Sequence, residues 1–161
     1  MSDHLERSER KRKTIANNRK ARHDFHVVES FEAGIVLQGT EVKSLRDGKV
    51  QMLDSYAAFQ GARDHEELWL FGLHISPYEH GTHENHEAKR RRKLLLSKRE
   101  LGKIKRRVEE KGLTLVPLSI YFSGPYAKIE LGLVRGKKQA DKREVLKKRD
   151  EDRKLRQGRY D

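Results

Sequence analysis

The stretch LTLVPLSIYFSGPYAKIELGLV, residues 113–134, carries the clearest fold signal in the chain. Residues 113–122 and 127–134 are rich in the apolar, β-branched and aromatic side chains that strands favour. Gly124-Pro125 between them is a turn signal. We therefore predict two strands joined by a turn, and these strands close a folded body that begins near Thr14.

Shorter apolar runs upstream predict further strands. They are residues 26–29 and 35–37 with a bend or bulge at Gly34, residues 51–60 after the turn dipeptide Asp47-Gly48, and residues 68–71 after a hairpin loop at 61–66. Residues 41–46 are compatible with a short helix. Residues 77–87 are rich in His, Gly, Glu and Asn without apolar periodicity, which predicts an exposed loop.

One longer helix is predicted after residue 96. Ser97 with Glu100 fits a capping box, and Gly112 offers a left-handed stop. Between them apolar residues recur at helical spacing: Leu101, Ile104 and Val108. Several short strands with few helices predict a mainly β fold, in the size class of a small antiparallel oligonucleotide-binding barrel.

The composition predicts a polyanionic partner. The chain has 161 residues and a formal net charge of +12, so its field attracts nucleic acid or acidic membrane. It contains no cysteine, which excludes disulfides and thiolate zinc sites. We find no apolar run suited to a signal peptide or a membrane span, so we expect a soluble cytoplasmic protein that binds no membrane.

The charged residues divide the chain into three parts. We assign residues 1–13 to a disordered basic arm, residues 14–135 to the barrel and residues 136–161 to a basic tail. The tail has too few large apolar residues to hold a fold by itself. We expect it to be disordered when free and to become helical on a polyanionic partner.

Residues 17–25 combine amides, cations, an imidazole and an aromatic ring in NNRKARHDF. RNA recognition uses these groups for base edges, phosphates and stacking on unpaired bases. The alternative is a solvated basic entry to the first strand. A second basic cluster at 89–93 is by itself a weak signal, because a charge run is usually a solvated surface.

We predict neither a metal site nor catalytic residues. His80, His83 and His86 are spaced by three, but they lie in a polar loop without a rigid frame. The carboxylates that a nuclease would need are not paired in sequence: Asp47, Asp54 and Asp64. No phosphate-binding glycine loop or nucleophile elbow is present, and no cofactor is implied. Four rings are predicted to lie in the core rather than to stack on bases: Trp69, Phe71, Tyr121 and Phe122.

Three blocks resemble the SmpB family, the small protein partners of transfer-messenger RNA (tmRNA). They are IANNRKARHDF (15–25) with FEAGIVLQGTEVKSLR (31–46), RKLLLSKREL (92–101) and GKKQADKR (136–143), in family order and at suitable spacing. The resemblance implies an oligonucleotide-binding-type barrel, which agrees with the strand pattern. It also implies an adaptor that binds the tRNA-like end of tmRNA, delivers it to stalled ribosomes and places its tail in the messenger channel of the small subunit.

The resemblance assigns residues to two sites. RNA-binding positions of the family match Asn18, Glu32 and Leu95, with Phe25 as a stacking ring. The cations Arg19, Lys20, Arg22 and Lys93 are assigned to phosphates on charge alone, and His23 belongs to the same segment. The ribosome-engaging tail motif matches Lys137, Lys138, Asp141, Lys142 and Arg143. Ala140 departs from the histidine or aromatic residue that relatives often carry, and a methyl group cannot stack on a decoding-centre base.

Two other readings remain open. A generic basic ribosomal or single-strand RNA-binding protein would bind RNA with little preference, because phosphate contacts carry no sequence information. A small nuclease would need a divalent metal and would degrade RNA. We expect the adaptor, acting as a monomer without enzymatic activity.

Overall fold

The computed structural model describes residues 12–62, 65–81, 85–110 and 112–137. Within these ranges the chain forms nine strands and three helices: β1 (Arg12–Asn17), α1 (Arg19–Asp24), β2 (Phe25–Ile35), α2 (Gly39–Arg46), β3 (Val50–Gln51), β4 (Tyr56–Gln60), β5 (Glu67–Phe71), β6 (His74–Ile75), β7 (Arg92–Leu95), α3 (Lys98–Val108), β8 (Leu113–Ser123) and β9 (Tyr126–Gly136). The predictions for residues 1–11 and 138–161 lie outside the described residues.

The strands form a partly closed antiparallel ring. The order β8-β4-β5-β7-β2-β9 returns to its start because β9 also pairs with β8. β8 uses its second edge for two partners, β4 at Leu115 and β1 from residue 119 onwards. The mainly β barrel predicted from the sequence is therefore confirmed. Because β1 begins at Arg12, Arg12 and Lys13 belong to the sheet and not to the arm in which we had placed them.

The β8–β9 hairpin is the longest ladder and was predicted correctly. It runs from Leu113 opposite Arg135 to Ser123 opposite Tyr126, and Gly124 in the turn has a φ of 58°. Gly132 allows a close approach inside this ladder, because a Cβ there would lie 2.7 Å from Leu118 Cδ1.

Strand β2 differs from its prediction as two short strands. It is continuous from Phe25 to Ile35, with its irregularity between Val27 and Glu29 and not at Gly34. The reason is that β9 provides a partner along nearly the whole segment. Gly34 serves a different purpose, since the side chain of Leu95 packs against it and a Cβ there would lie 3.3 Å from Leu95 Cβ.

The single strand predicted at 51–60 is also wrong. Val50–Gln51 pairs with β6 in a separate two-stranded sheet, and the main sheet resumes only at Tyr56. Between them Asp54 has a φ of 61°, and Ser55 Oγ donates a hydrogen bond to Met52 O at 2.5 Å. This turn redirects the chain, so that β3 ends at Gln51 and β4 begins at Tyr56.

Helices α2 and α3 occur where they were predicted. In α2 the Glu41 carboxylate accepts a hydrogen bond from the backbone N–H of Gln38 at 2.7 Å. In α3 the Ser97 hydroxyl accepts one from Glu100 N at 3.2 Å, and Ile104 is fully buried. These capping contacts fix where each helix begins.

The core is formed by inward side chains of the barrel strands and by one buried apolar residue from each of the helices α2 and α3, Leu45 and Ile104. Its members include Leu45, Leu68, Leu70, Leu94, Ile104, Leu115, Ile120, Ile129, Leu131 and Leu133. Tyr121 and Phe122 are buried, as predicted.

Trp69 and Phe71 were wrongly assigned to the core. Strand alternation turns Leu68 and Leu70 inward, so both rings lie on the outer face of β5. There the Arg91 guanidinium lies 4.2 Å from the centre of the Trp69 ring.

A buried ion-pair cluster joins α2 to β7. Glu41 and Arg92 have fully buried side chains, and Arg92 Nε donates to Glu41 Oε2 at 2.6 Å while Arg90 donates to Glu41 Oε1 at 2.5 Å. Burial by itself would raise the pKa of Glu41, but the hydrogen bonds from Arg90, Gln38 N–H and Arg92 outweigh it and lower that pKa. The cluster therefore holds a charged carboxylate in the interior.

His86 contradicts the prediction of an exposed loop at 77–87. It is 5 % exposed, its Nδ1 lies 2.8 Å from Thr40 Oγ1, and its Nε2 lies 2.9 Å from Ile75 O. The loop is therefore fastened to α2 and β6 at this point, by contacts with residues distant in sequence.

Candidate nucleic-acid interface

Helix α1 is fixed to the barrel by Asn18. The Asn18 side-chain oxygen accepts from Ala21 N at 3.1 Å, and its amide nitrogen donates to Pro117 O at 2.9 Å. The Asn18 backbone N–H donates to Leu118 O at 2.8 Å. With 8 % exposure and both atoms of its side-chain amide hydrogen-bonded within the protein, Asn18 fixes the start of α1 and so positions the basic residues of that helix.

The basic residues of α1 surround a cleft that includes the first residue of the tail motif. Its lining consists of Arg19, Lys20, Arg22, His23 and Lys137. Lys137 is brought there by its backbone N–H, which donates to Asp24 O at 3.1 Å, and the His23 ring contacts the Asp24 carboxylate at 3.1 Å. The remaining tail residues predicted to engage the ribosome lie outside the described residues: Lys138, Asp141, Lys142 and Arg143.

Phe25 is half-buried beneath α1. It packs against the small apolar cluster formed by Ala21, Val116, Leu118 and Val134. Much of its surface is therefore used to hold α1 against β8 and β9. A groove of about 290 Å³ continues from it to the turn before β4, where Leu53 and Tyr56 are 57 % and 47 % exposed. This turn lies within the single strand predicted at 51–60, so the groove is not predicted by the sequence.

Glu32 and Leu95 lie on the outer face of the barrel. Gly34 pairs with Leu95 on one side and with Lys128 on the other, and Leu95 is 51 % exposed. The Tyr121 hydroxyl donates to Glu32 at 2.6 Å, and Lys128 Nζ lies 3.9 Å from the other oxygen of Glu32. Burial, followed by this hydrogen bond, raises the pKa of Tyr121 well above its usual value, so the hydroxyl remains a donor at neutral pH.

Glu130 connects this outer face to α1. It lies directly opposite Glu32 across the β2–β9 ladder. Its Oε2 accepts from Arg22 at 3.2 Å and from Ser119 Oγ at 3.0 Å, and lies 3.6 Å from Arg12 Nη2. We call the set Arg12, Arg22, Glu32, Ser119, Tyr121, Lys128 and Glu130 the outer-face cluster. Its β9 members were missed, although the alternation Lys128-Ile129-Glu130-Leu131 places both charged residues on one face.

Lys93 lies further round the barrel. It pairs with Trp69 across β7 and β5, and its Nζ lies 3.1 Å from Glu67 Oε1. It shares the outward face of β7 with Leu95, because Arg92 and Leu94 point inward. The structure therefore does not bring Lys93 to α1, but places it at the far end of the same outer surface.

Comparison with known proteins identifies the family. The model of the family described as SmpB protein matches residues 15–159. The chain belongs to the SmpB family. The SsrA-binding protein of Carboxydothermus hydrogenoformans is 59 % identical over 138 residues, covering 86 % of this chain and 90 % of that protein. That of Geobacter sulfurreducens is 52 % identical over 145 residues, covering 90 % and 92 %.

A solved structure of tmRNA–SmpB in the bacterial ribosome is also similar. One of its chains has 54 % sequence identity to this one and a TM-score of 0.64, covering 77 % of this chain and 85 % of that chain. The resemblance to the SmpB family seen in the three sequence blocks is thereby confirmed, and it extends over most of the chain.

Neither a metal centre nor a membrane span is found in the described part of the chain. No group of three or more His, Asp or Glu residues there is placed to hold a metal ion. His86 contacts Thr40 and Ile75 instead, and His83 is not among the described residues. No described helix is long and apolar enough to cross a membrane.

Apart from Lys93, the structure places the RNA-binding residues predicted from charge on α1 and those predicted from the family resemblance around it. Arg19, Lys20, Arg22 and His23 are grouped on α1, and the outer-face cluster links them to Glu32 and Leu95. Asn18 and Phe25 lie underneath and support α1. The surface combines exposed cations, two carboxylates and an exposed leucine. Such a surface can contact phosphates, accept hydrogen bonds from bases or riboses, and pack against a ribose or base face.

Proposed function

We propose that this protein is an RNA-binding adaptor that binds the tRNA-like domain of tmRNA and delivers it to stalled ribosomes for trans-translation. The observation that carries the proposal is the continuous surface from Lys137 and α1 through Arg22 and Glu130 to Glu32 and Leu95, on a member of the SmpB family. Its similar relatives are SsrA-binding proteins, and a similar solved chain is part of a tmRNA–SmpB structure.

The surface suits a folded RNA better than a flexible strand. Arg19, Lys20 and Lys137 are held by a short capped helix and by a backbone hydrogen bond, so their spacing is fixed before binding. Glu32 adds a hydrogen-bond acceptor and Leu95 an apolar surface, and neither of them can be matched by a phosphate group. When the phosphate contacts and the other contacts are both fixed in position, the RNA whose shape matches them binds most tightly. A generic RNA-binding protein depends on phosphate contacts, which any RNA can make.

The tail has a separate role in this proposal. Lys137 leaves the barrel beside α1, so residues 138–161 start next to the bound RNA. We place Lys138, Asp141, Lys142 and Arg143 in the messenger channel of the small subunit, where their cations meet ribosomal RNA as the segment becomes helical. The protein then acts in the cytoplasm, by binding and without a catalytic step.

The first experiment is a binding competition with the full-length protein. Labelled tmRNA is bound at near-physiological salt while bulk tRNA and an unrelated structured RNA are added in excess. We expect tmRNA to be retained selectively. Equal displacement by all three RNAs would contradict the adaptor and favour the generic RNA-binding protein.

A matched pair of triple variants locates the interface. Arg19→Gln/Lys20→Gln/Arg22→Gln removes three exposed charges from α1. The control Lys98→Gln/Arg99→Gln/Arg106→Gln removes three exposed charges from α3 and gives the same net charge. We expect about a hundredfold loss of tmRNA affinity for the α1 variant and less than about threefold for the control. Equal losses would mean that only net charge matters.

The tail is tested by Lys142→Ala/Arg143→Ala. We expect tmRNA binding to stay within about twofold of the wild type, because phosphate contacts by the barrel are unchanged. Tagging of nascent peptides on stalled ribosomes should be abolished. An equal loss of RNA affinity would contradict this division of labour between barrel and tail.

A further inference from the structure

A carboxylate lies in the middle of the surface that should attract phosphate. Glu130 is 27 % exposed, and a single oxygen, Oε2, faces Arg22 at 3.2 Å, Ser119 Oγ at 3.0 Å and Arg12 at 3.6 Å. The Arg12 guanidinium also lies 3.7 Å from the centre of the Tyr121 ring. Both arginines are therefore held against the sheet by groups of the protein itself.

The position of Glu130 in the sheet is electrostatically unfavourable. Glu32 lies directly opposite it on β2, and like charges at directly opposed strand positions repel. The repulsion is offset by Arg12 and Arg22 around Glu130 and by Tyr121 and Lys128 around Glu32. The outer-face cluster thus holds three cations and two carboxylates, Arg12, Arg22 and Lys128 against Glu32 and Glu130, and keeps one net positive charge.

We infer that Glu130 is a specificity-determining residue, because it acts as an internal competitor of phosphate for Arg12 and Arg22. This inference rests on the proposed function and adds a mechanism for RNA selection. A phosphate of an arbitrary RNA that approaches Nη2 of Arg12 or Arg22 must compete with the Glu130 carboxylate for it. An RNA that fits the whole surface also contacts Arg19, Lys20 and Lys137, which lie outside the cluster, so its affinity depends less on releasing the two arginines from Glu130.

The test compares Glu130→Gln with the wild type. The amide keeps the size of the side chain and can still accept from Ser119, but it no longer holds two guanidinium groups by charge. We expect affinity for an unrelated structured RNA to rise about three- to tenfold at near-physiological salt. The salt slope, which is the dependence of log affinity on log salt concentration, should become steeper by the equivalent of up to about two phosphate contacts. Affinity for tmRNA should change less than about twofold, so selectivity falls.

Glu29→Gln provides the matched control. Glu29 lies on β2 and also faces two cations, Lys103 at 2.7 Å and Arg107 at 3.6 Å. Both of these cations belong to α3. Glu29→Gln raises the net charge by the same amount as Glu130→Gln, but it does not release Arg12 or Arg22. We expect its RNA selectivity and salt slope to match the wild type. Equal increases in the two variants would overturn the inference, because net charge would then be the cause.

Two further outcomes are informative. If Glu130→Gln lowers the affinity for tmRNA and for the unrelated RNA equally, and its melting temperature is unchanged, the inference is wrong. Glu130 would then position Arg22 for binding instead of competing with phosphate. A wild type without any preference for tmRNA contradicts the proposed function instead. The inference about Glu130 is then judged by the salt slope for unrelated RNA alone, which must be steeper in Glu130→Gln than in Glu29→Gln.

Discussion

Two carboxylates in this molecule each face a pair of arginines, one in the interior and one on the outer face. Glu41 is fully buried and accepts from Arg90 at 2.5 Å and from Arg92 at 2.6 Å. Glu130 is 27 % exposed and faces Arg22 at 3.2 Å and Arg12 at 3.6 Å. The arrangements are similar, but only the Glu130 carboxylate is accessible to water.

This difference in solvent access separates a structural role from a recognition role. A buried charge that loses its partner has no water to replace it, so the Glu41 pairs cannot be exchanged without unfolding. An exposed pair contributes little to stability, because water and salt compete with it. For the same reason the arginines of Glu130 can exchange a carboxylate for a phosphate.

The largest effect is expected from breaking the interior pair. Arg92→Met removes the buried guanidinium, leaves the Glu41 charge with Arg90 alone, and loses the bonds from Arg92 to Leu73 O and Ala88 O. We expect the free energy of unfolding to fall by about 3–5 kcal/mol. Urea denaturation followed by circular dichroism measures it.

A double variant separates the lost pair from the stranded charge. Glu41→Leu/Arg92→Met replaces both partners by apolar side chains, and we expect it to be more stable than Arg92→Met. A double variant less stable than Arg92→Met would show that packing around the pair, and not the unpaired charge, sets the cost.

The interior carboxylate should also appear in the pH dependence of stability. The folded pKa of Glu41 is lowered from its ordinary value of 4.5, so its contribution is present above that pH and is lost as the pH falls through the folded pKa. Glu41→Gln should cost about 2–3 kcal/mol at pH 7, because it weakens hydrogen bonds to charged donors.

Urea midpoints of the wild type and Glu41→Gln, measured from pH 7 down to pH 3, test this pH dependence. The difference between the two proteins should be constant above pH 4.5 and narrow below it. A difference that does not change with pH would mean that Glu41 has the same pKa in the folded and unfolded states.

The contrast between the two carboxylates also shows what the sequence can predict. The β8–β9 hairpin and α3 were found because their signals are local: apolar patterning, a cap or a turn dipeptide. The basic segment at 17–25 was found from its composition, but the helix that it forms, α1, was not predicted. Glu41 and Arg92 are 51 residues apart, so nothing local shows that they meet. Asn18 was identified by resemblance, and its cap to Ala21 N is local, but the bond from its amide nitrogen to Pro117 O joins residues that are 99 apart in sequence.

The wrong predictions have the same origin. Gly34 suggested a bend because a strand glycine often marks one, but the pairing of β2 with β9 continues through Gly34, and the Leu95 side chain packs against it. His86 suggested an exposed loop, but Thr40 and Ile75 bind it. Glu130 could have been found, since alternation along β9 predicts its outward direction, but its partners Arg12 and Arg22 could not.

An intermediate effect is expected where a buried group touches an exposed carboxylate. Tyr121 is 2 % exposed, while the Glu32 side chain that accepts its hydrogen bond is 58 % exposed. Tyr121→Phe leaves Glu32 free to bind water, so we expect a loss of about 1 kcal/mol by urea denaturation. A loss as large as that of Arg92→Met would show that the outer-face cluster is as rigid as the interior one.

The smallest effect on stability is expected from the outer-face carboxylate. Glu130→Gln breaks two exposed ion pairs but also removes the repulsion with Glu32, and these changes oppose each other. The free energy of unfolding should therefore change by less than about 0.5 kcal/mol. Measured in low salt and again in about 0.5 M salt, the small difference should shrink further, because salt screens both contributions. A loss of several kcal/mol would place Glu130 with Glu41 as a structural residue and remove the freedom to exchange partners that RNA selection requires.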